Sequence, residues 1–170
     1  MEFALRDFQD KDFEILWSID QRCFAPGIAY SRPELAAYIR RRGSFTLVAE
    51  KAPSPTAMSS GQADVEPTSG IVGFIVAAGS RGIGHIISID VLPGSRRFGL
   101  GSKLLLAAEQ RLRAVPCHTV VLETAVDNVS ALAFYKRHLY HIVRTIPRYY
   151  SNGTNAFLLQ KSLFSGTRDQ

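Results

Sequence analysis

A glycine-bearing turn between a predicted strand and a predicted helix has the composition of an anion-binding site. Residues 93–101 read PGSRRFGLG and follow an apolar strand predicted over 85–92. The N-terminus of a helix offers free backbone N–H groups and the positive end of its dipole, and glycine lets a ligand approach the backbone closely. Arg96 and Arg97 add two guanidinium groups where a diphosphate would lie. The turn therefore predicts a phosphate site, with an ordinary glycine-capped turn as the alternative.

Two better-known phosphate loops do not fit this turn. A P-loop ends in Gly-Lys-Ser/Thr, whereas Gly101 is followed by Ser102 and then Lys103. The dinucleotide fingerprint Gly-x-Gly-x-x-Gly fails as well, because Leu104 stands where its last small residue belongs. Neither motif therefore explains the turn.

A carboxylate and a phenol further along the chain are residue types suited to proton transfer. Glu123 lies near the end of an apolar strand predicted over 119–124, where a carboxylate is costly to bury unless it is paired or functional. Tyr135 lies two helical turns after Asn128, which either caps that helix or offers its amide to a ligand. The alternatives are a solvent-facing strand glutamate and a core tyrosine.

The histidines and cysteines show no metal-ligand spacing. We expect structural or surface roles for the four histidines, which are His85, His118, His138 and His141. Cys23 and Cys117 lie far apart in the sequence, which favours two inert thiols in a reduced, cytoplasmic protein. The sequence thus predicts no bound metal.

Hydrophobic periodicity and turn residues divide the chain into the elements that would position these groups. Strands are predicted over 3–5, 45–50, 71–78, 85–92, 119–124, 140–146 and 156–163, and helices over 11–23, 31–42, 99–115 and 130–137. Ser31 and Glu34 have the spacing of a capping box at the start of the second helix. Residues 51–70 are rich in Pro, Ser, Thr, Gly and Ala, and predict a mobile loop between two neighbouring antiparallel strands.

These elements predict one α/β domain of the α+β type over 1–165, followed by a tail over 166–170. Its sheet has about seven strands, mixed but mostly antiparallel, with four helices, and the strand–helix–strand order in the second half implies one parallel pairing.

The first residues lack the features of a signal peptide, and no apolar run approaches the ~20 residues of a membrane helix. The net charge of +5 is spread over several elements without interleaved aromatics, which argues against nucleic-acid binding as the main function.

Two motifs in this chain resemble those of the GNAT superfamily of acetyl-CoA-dependent N-acetyltransferases. Residues 96–101, RRFGLG, match its pyrophosphate motif Gln/Arg-x-x-Gly-x-Gly/Ala, and residues 91–93, VLP, match its Val-x-Pro strand exit. Residues 128–135, NVSALAFY, resemble its Asn-x-x-Ala-x-x-Phe/Leu-Tyr segment. The resemblance implies acetyl-CoA as cosubstrate and a sheet splayed at strands four and five, with a strand bulge at Val91 beside the thioester. The cofactor-binding residues it implies are Ile89, Val91, Arg96, Arg97, Phe98, Gly99, Leu100, Gly101, Ser102 and Asn128.

More narrowly, the sequence resembles the bacterial ribosomal-protein-alanine N-acetyltransferase group. That resemblance implies Glu123 as the base and Tyr135 as the acid, and residues 146–150, IPRYY, resemble the group's Arg-x-x-Tyr-Tyr neighbourhood. One departure is that Leu139 and Tyr140 stand where the group has Gly-Phe after the catalytic tyrosine.

The implied activity is acetyl transfer to a primary amine, with a protein or peptide N-terminus as the foremost acceptor, in a cytoplasmic monomer or homodimer. Tyr30, Tyr149 and Tyr150 would line the acceptor groove, with plain packing of their rings as the alternative. Two other functions remain open. One is acetylation of a small amine such as a polyamine, an amino acid or an aminoglycoside, and the other is a non-catalytic acyl-CoA-binding sensor domain.

Overall fold

The computed structural model describes residues 1–52 and 70–164. Within them the chain forms strands β1 Phe3–Asp7, β2 Ser44–Lys51, β3 Ile71–Ser80, β4 Ile83–Val91, β5 Thr119–Ala125, β6 His141–Ile146 and β7 Ala156–Ser162. The helices are α1 Phe13–Cys23, α2 Arg32–Arg40, α3 Leu100–Ala114 and α4 Val129–Arg137, and short 3-10 turns at Asp10–Asp12 and Pro93–Ser95 precede α1 and α3.

One sheet contains these seven strands, in the order β1-β2-β3-β4-β5-β7-β6. Neighbouring strands are antiparallel except β4 and β5, which run parallel. The β4–β5 ladder is short, since it joins only residues 83–85 to residues 119–121 although the strands continue to Val91 and Ala125. The sheet therefore opens into a gap beyond His85, which confirms the predicted mixed sheet and its splay at strands four and five.

The helices cover both faces of this sheet. Leu16 of α1 and Leu35 of α2 are fully buried in one apolar cluster with Phe74 of β3. Leu104 of α3 is buried in the other cluster with Ile75. Because side chains alternate between the two faces along a strand, the adjacent residues Phe74 and Ile75 place the two helical layers on opposite sides.

The observed element boundaries differ from the predicted ones by a few residues. The capping box of α2 is present: the Glu34 amide donates to Ser31 Oγ (3.3 Å), and the Ser31 amide donates to Glu34 Oε2 (2.8 Å). β3 and β4 are longer than predicted because Arg81 and Gly82 both have positive φ, 51° and 81°. That is the backbone of a two-residue hairpin turn, which lets the strands pair up to the turn.

The bulge in β4 lies at Ile87, so the expectation of a bulge at Val91 is wrong. Val76 of β3 pairs with Ser88 and Ala77 pairs with Ile86, which leaves Ile87 as the extra residue. A bulge bends its strand, and this one lies two residues beyond His85, the last residue that pairs with β5. It therefore lies where β4 must turn away from β5.

Helix α4 ends in a left-handed backbone conformation that glycine usually adopts, but here the residue is Leu139. Leu139 has φ 69° and is 76% exposed, and the next residue, Tyr140, is buried with its amide donating to the Tyr135 carbonyl (3.0 Å). The left-handed region disfavours an L-residue by about 1–2 kcal/mol. The Leu139–Tyr140 departure therefore preserves the helix exit at the cost of a strained residue.

The strands that flank residues 51–70 are antiparallel neighbours, as expected, and the Lys51 amide donates to the Gly70 carbonyl (2.7 Å). The interior of the predicted loop, residues 53–69, lies outside the described residues, as do the predicted end of the domain and the tail, residues 165–170. No helix in the described part of the chain has the length and apolar character needed to cross a membrane.

Candidate functional site

The gap between β4 and β5 contains a cavity of about 1000 Å³. This volume is at the upper end of what small-molecule sites usually have, roughly 300–1,000 Å³. The predicted site residues that line it are Tyr30, Ile89, Val91, Arg96, Arg97, Gly99, Leu100, Gly101, Ser102, Glu123, Asn128, Tyr135, Tyr149 and Tyr150. Phe98 is the exception, because it is not part of the wall and is 54% exposed.

The glycine turn at one end of the cavity begins α3 without a side-chain cap. Its N-cap residue Gly99 has φ 79°, and the space that a side chain would occupy there is open. The first turn of α3 contains no acidic residue. Its backbone amides and the positive end of the helix dipole thus face the cavity in the form that suits an anion.

Arg96 connects this turn to the end of β4. Its Nε donates to the Val91 carbonyl oxygen (2.7 Å) while the side chain stays exposed. The same carbonyl accepts from Cys23 Sγ (3.5 Å). Arg96 can therefore hold the strand exit in place and still present positive charge to a ligand.

The amide of Val91 points into the gap. The Leu92 amide donates to the Val72 carbonyl (2.9 Å), so Leu92 faces β3. Consecutive residues of a strand direct their N–H groups to opposite sides, and Val91 therefore faces the side that β5 has left. This N–H is placed to donate to a ligand oxygen in the cavity.

Glu123 is hydrogen-bonded to a histidine that the sequence analysis assigned to a structural or surface role. His85 Nε2 lies 2.7 Å from Glu123 Oε2, and the two side chains are 31% and 18% exposed. They are 38 residues apart in the chain. Only the parallel register of β4 and β5 brings them together, and a single sequence carries no direct signal of that register.

Tyr135 reaches the cavity from α4 and is nearly buried, with 6% exposure. Burial raises the pKa of its phenol well above the usual value, and Asp90 and Tyr150 add to that effect. Its hydroxyl makes no side-chain hydrogen bond among the described residues, and the residue lines the cavity. The phenol thus stays protonated, with its proton free for a ligand.

Two further polar residues of the cavity wall support helix ends. Asn128 caps α4 through its side-chain oxygen, which accepts from the Ala131 amide (3.2 Å). Ser102 Oγ lies 2.8 Å from His138 Nε2, joining the start of α3 to the end of α4. Burial lowers the pKa of His138, so its neutral ring can accept from the serine.

The three tyrosines expected at the acceptor side all line the cavity, each held differently. The Tyr30 hydroxyl donates to the carbonyl of Ile87, which is the bulged residue of β4 (3.1 Å). The rings of Tyr149 and Tyr150 pack edge to face, 4.9 Å apart. Ser151 Oγ donates to the Gly27 carbonyl (2.9 Å), so the segment after α1 and the segment before β7 meet at this end of the cavity.

Sequence reasoning also missed Asp90, which lines the cavity and is 1% exposed. The sequence pattern pointed the other way, since the apolar alternation of Ile87, Ile89 and Val91 suggests an exposed Asp90, whereas the folded strand buries it. A carboxylate in the buried phase of a strand calls for a partner.

Known proteins are similar to this chain over the segments that form the cavity. Residues 13–139 match the model of the acetyltransferase (GNAT) family. A segment of 81 residues is 36% identical to the N-alpha-acetyltransferase of Sulfurisphaera tokodaii, and it covers 47% of this chain and 48% of that protein. The chain spans about half the length of the curated relatives it matches.

Solved structures match the fold over nearly its full length. Ard1 from Thermoplasma volcanium has a TM-score of 0.80 at 27% identity, covering 97% of this chain and 100% of that one. The ribosomal-protein-S18-alanine N-acetyltransferase of Escherichia coli has a TM-score of 0.76 at 17% identity, covering 99% of each, which supports the fold alone. The narrower resemblance to the bacterial ribosomal-protein-alanine group is not confirmed. Because the matched residues 13–139 include β4, the glycine turn, β5 and α4, the chain belongs to the acetyltransferase (GNAT) family.

Proposed function

We propose that this chain transfers the acetyl group of acetyl-CoA to a primary amine, foremost the α-amine of a protein or peptide N-terminus, by direct attack in a ternary complex. The observation that carries the proposal is the cavity between β4 and β5. It combines an uncapped helix N-terminus with the Glu123–His85 pair and a free buried phenol. Phosphate binding, a base and an acid are thereby available in one cleft.

The residues present fit acetyl-CoA. The amides at the start of α3 would bind the pyrophosphate, Arg96 and Arg97 would add charge, and the open space at Gly99 would admit the phosphate groups. The Asn128 amide nitrogen, which the helix cap leaves unused, can donate to the pantetheine arm. We leave Phe98 out of the binding residues because it lies outside the cavity wall.

Glu123 would accept the proton of the attacking amine, directly or through one water, while His85 holds its carboxylate in place. The amine must attack as the free base. At pH 7 this costs about 1.4 kcal/mol for an α-amine of pKa about 8, and about 4.6 kcal/mol for a lysine of pKa about 10.4. A partly exposed carboxylate is a strong enough base for the α-amine, and this favours an N-terminal acceptor over a lysine.

The rest of the reaction can use the other two groups in the gap. As the amine nitrogen bonds to the thioester carbon, the carbonyl oxygen becomes an oxyanion, and the Val91 N–H can donate to it. The carbon–sulfur bond then breaks, and the Tyr135 hydroxyl can hydrogen-bond to and protonate the departing thiolate. All of these residues come from one chain, so both a monomer and a homodimer can carry the site.

An N-terminal acceptor is also supported by the curated relatives, which include N-alpha-acetyltransferases. We propose a general N-terminal specificity in place of the narrower ribosomal-protein substrate, because the likeness to that enzyme extends to the fold alone. The two free thiols, one buried and one half-buried, fit action in the reducing cytoplasm.

The test is acetyl-CoA consumption in the presence of peptides with varied N-termini, lysine peptides, polyamines and aminoglycosides. We expect turnover with a subset of the free N-termini and none with the same peptides after N-terminal blocking. Turnover with blocked lysine peptides or polyamines would contradict the N-terminal acceptor. Binding of acetyl-CoA without acetylation of any amine would favour the sensor function.

A further inference from the structure

Two buried carboxyl groups beside the cavity have no part in the proposed chemistry. Asp20 of α1 is 0% exposed and Asp90 of β4 is 1% exposed. Asp20 Oδ2 accepts from the Tyr30 amide (2.8 Å) and from Gln21 Nε2 (3.1 Å). Asp90 Oδ1 accepts from Ser88 Oγ (2.6 Å). The other oxygens, Asp20 Oδ1 and Asp90 Oδ2, have no donor among the described residues.

The two carboxyl groups lie close enough for each to shift the pKa of the other, and in the described part of the chain each has one oxygen without a donor. Two ionised carboxylates both accept, so a hydrogen bond between them requires a proton on one of them. Burial raises the pKa of Asp20 to about 6 and that of Asp90 well above its usual range. Because the charge of the first carboxylate opposes ionisation of the second, the pair keeps one proton at neutral pH.

Within the ranges that the structure describes, the groups around the pair do not provide a buried positive charge that would stabilise two ionised carboxylates. The titratable or polar groups that face it from every neighbouring element are Gln21 and Cys23 of α1, Tyr30, Glu34 of α2, Ser88 of β4, Arg96 of the glycine turn and Tyr135 of α4. Arg96 is the cation in this set, and its side chain is exposed and bound to the Val91 carbonyl. The shared proton, rather than a cation, therefore compensates the buried charge.

The pair connects two walls of the cavity, the segment 24–30 and strand β4, between which an acceptor would bind. Asp20 holds the Tyr30 amide, and Tyr30 belongs to the segment 24–30, of which Phe24, Ala25, Ile28 and Tyr30 itself line the cavity. Asp90 precedes Val91, whose amide points into the gap. The Tyr30 hydroxyl makes a second tie, to the bulge carbonyl of Ile87. The acceptor-side segment is thus hydrogen-bonded to the strand that faces the thioester.

We propose that Asp20 and Asp90 are positioning residues, whose shared proton holds the segment 24–30 against β4 and so sets the affinity for the acceptor. This inference rests on the proposed function. It predicts that a permanent donor at position 90 can replace the proton. It also predicts that an apolar side chain there frees the segment, because the Asp20 carboxylate is left buried without its donor.

The experiment compares Asp90→Asn with Asp90→Leu, two side chains of similar size. For Asp90→Asn we expect wild-type acceptor KM and kcat within about threefold, since the amide donates to Asp20 as the acid did. For Asp90→Leu we expect acceptor KM to rise at least about tenfold with kcat and acetyl-CoA Kd changed less than about threefold. If Asp90→Leu does not fold, Asp20→Leu, which removes the acceptor of the Tyr30 amide, is the disrupting variant and should raise acceptor KM in the same way, whereas Asp20→Asn should not.

Hydrogen exchange of the Tyr30 amide gives a readout that does not need an acceptor. We expect its protection to be kept in Asp90→Asn and lost in Asp90→Leu, while amides in α3 are unchanged. A loss of exchange protection or a raised acceptor KM in Asp90→Asn equal to that in Asp90→Leu would overturn the inference. If the exchange results hold but no amine is acetylated, the proposed function fails and the tie between the segment and β4 stands.

Discussion

His85 Nε2 and Glu123 Oε2 lie 2.7 Å apart at the point where β4 and β5 separate. His85 is the last residue of β4 that pairs with β5, and Glu123 lies two residues beyond its register partner Val121. The two side chains therefore bridge the narrow end of the gap. The carboxylate of Glu123 gains a fixed direction in this way, which an isolated strand glutamate would lack.

Replacing Glu123 with Gln should slow turnover most near neutral pH. The amide keeps the shape but cannot accept the amine proton, and the deficit should shrink as the pH approaches the α-amine pKa of about 8 and more amine is already free. Steady-state kcat/KM for a peptide acceptor from pH 6.5 to 9.5 measures this. A deficit that does not change with pH would assign Glu123 to structure instead of proton transfer.

His85→Gln should have a smaller effect than Glu123→Gln, because it removes only the support of the base. If the two residues act as a unit, the double variant should be no slower than Glu123→Gln alone. A double-mutant cycle in kcat/KM tests this coupling. Additive losses would mean that His85 contributes independently of Glu123.

Gly101→Glu should weaken acetyl-CoA binding at least about tenfold, since it places a bulky negative charge where the phosphates would bind. Gly101→Ala is the matched control. A Cβ at this position meets only the edge of the Phe134 ring at 3.4 Å, so alanine should bind acetyl-CoA within a few-fold of the parent. Calorimetric titration gives both affinities. Equal affinity of the two variants would remove the start of α3 from the phosphate site.

The pH dependence of stability should report the Asp20–Asp90 pair. A pKa of about 6 for Asp20 is higher than the value in the unfolded chain, so the folded protein binds the additional proton. The resulting stability is present below the unfolded pKa of about 3.9 and is lost as the pH rises through 6, by up to about 3 kcal/mol.

The reference for this measurement is the double variant Asp20→Asn/Asp90→Asn, which has no proton to release at these positions. Denaturant titrations at pH 4 and pH 7 should show the wild type losing stability relative to the double variant between the two values. Parallel behaviour of the two proteins would mean that the pair does not titrate in this window.

Most of the fold could be predicted because it depends on local patterns. The capping box of Ser31 and Glu34, the apolar period of α3 and the strand–turn–helix at the glycine turn are all readable from neighbouring residues. The hairpin turn at Arg81 and Gly82 was harder, since arginine is not a residue that signals positive φ. The bulge at Ile87 depends on pairing with β3, and no local pattern marks it.

The candidate site was predictable where a motif is contiguous and was missed where two strands or helices meet. The glycine turn and the segment from Asn128 to Tyr135 are each a single run of sequence. The His85–Glu123 pair depends on the register between β4 and β5, and the Asp20–Asp90 pair on the docking of α1 against β4. Such contacts between distant residues follow from tertiary packing, which periodicity does not specify.

Leu139→Gly should stabilise the protein. Glycine removes the left-handed strain of about 1–2 kcal/mol but adds backbone entropy in the unfolded chain, which leaves a net gain of roughly 0.5–1 kcal/mol. Leu139→Ala deletes the same exposed side chain and keeps the strain, so its stability should be close to that of the parent. Denaturant unfolding compares the three proteins. Equal gains from both variants would attribute the effect to the lost leucine side chain.

Tyr135→Phe should lower turnover and Tyr140→Phe should lower stability, although the two rings pack against each other with their centroids 5.7 Å apart. The Tyr140 hydroxyl donates to the buried carboxylate of Glu109 (2.8 Å), so its loss should cost about 1–3 kcal/mol of stability and leave turnover unchanged.

The Tyr135 hydroxyl makes no side-chain hydrogen bond among the described residues, and the residue lines the cavity, so the loss of the hydroxyl should leave stability unchanged. A thiolate of pKa about 8.5 can leave unaided, and proton donation should therefore help without being indispensable. We expect turnover to fall at least about tenfold, with acetyl-CoA affinity within a few-fold of the parent. Thermal unfolding, calorimetry and acetylation assays on the two variants give the comparison. Unfolding of Tyr135→Phe would make the phenol a structural group, and normal turnover would assign the acid to another residue.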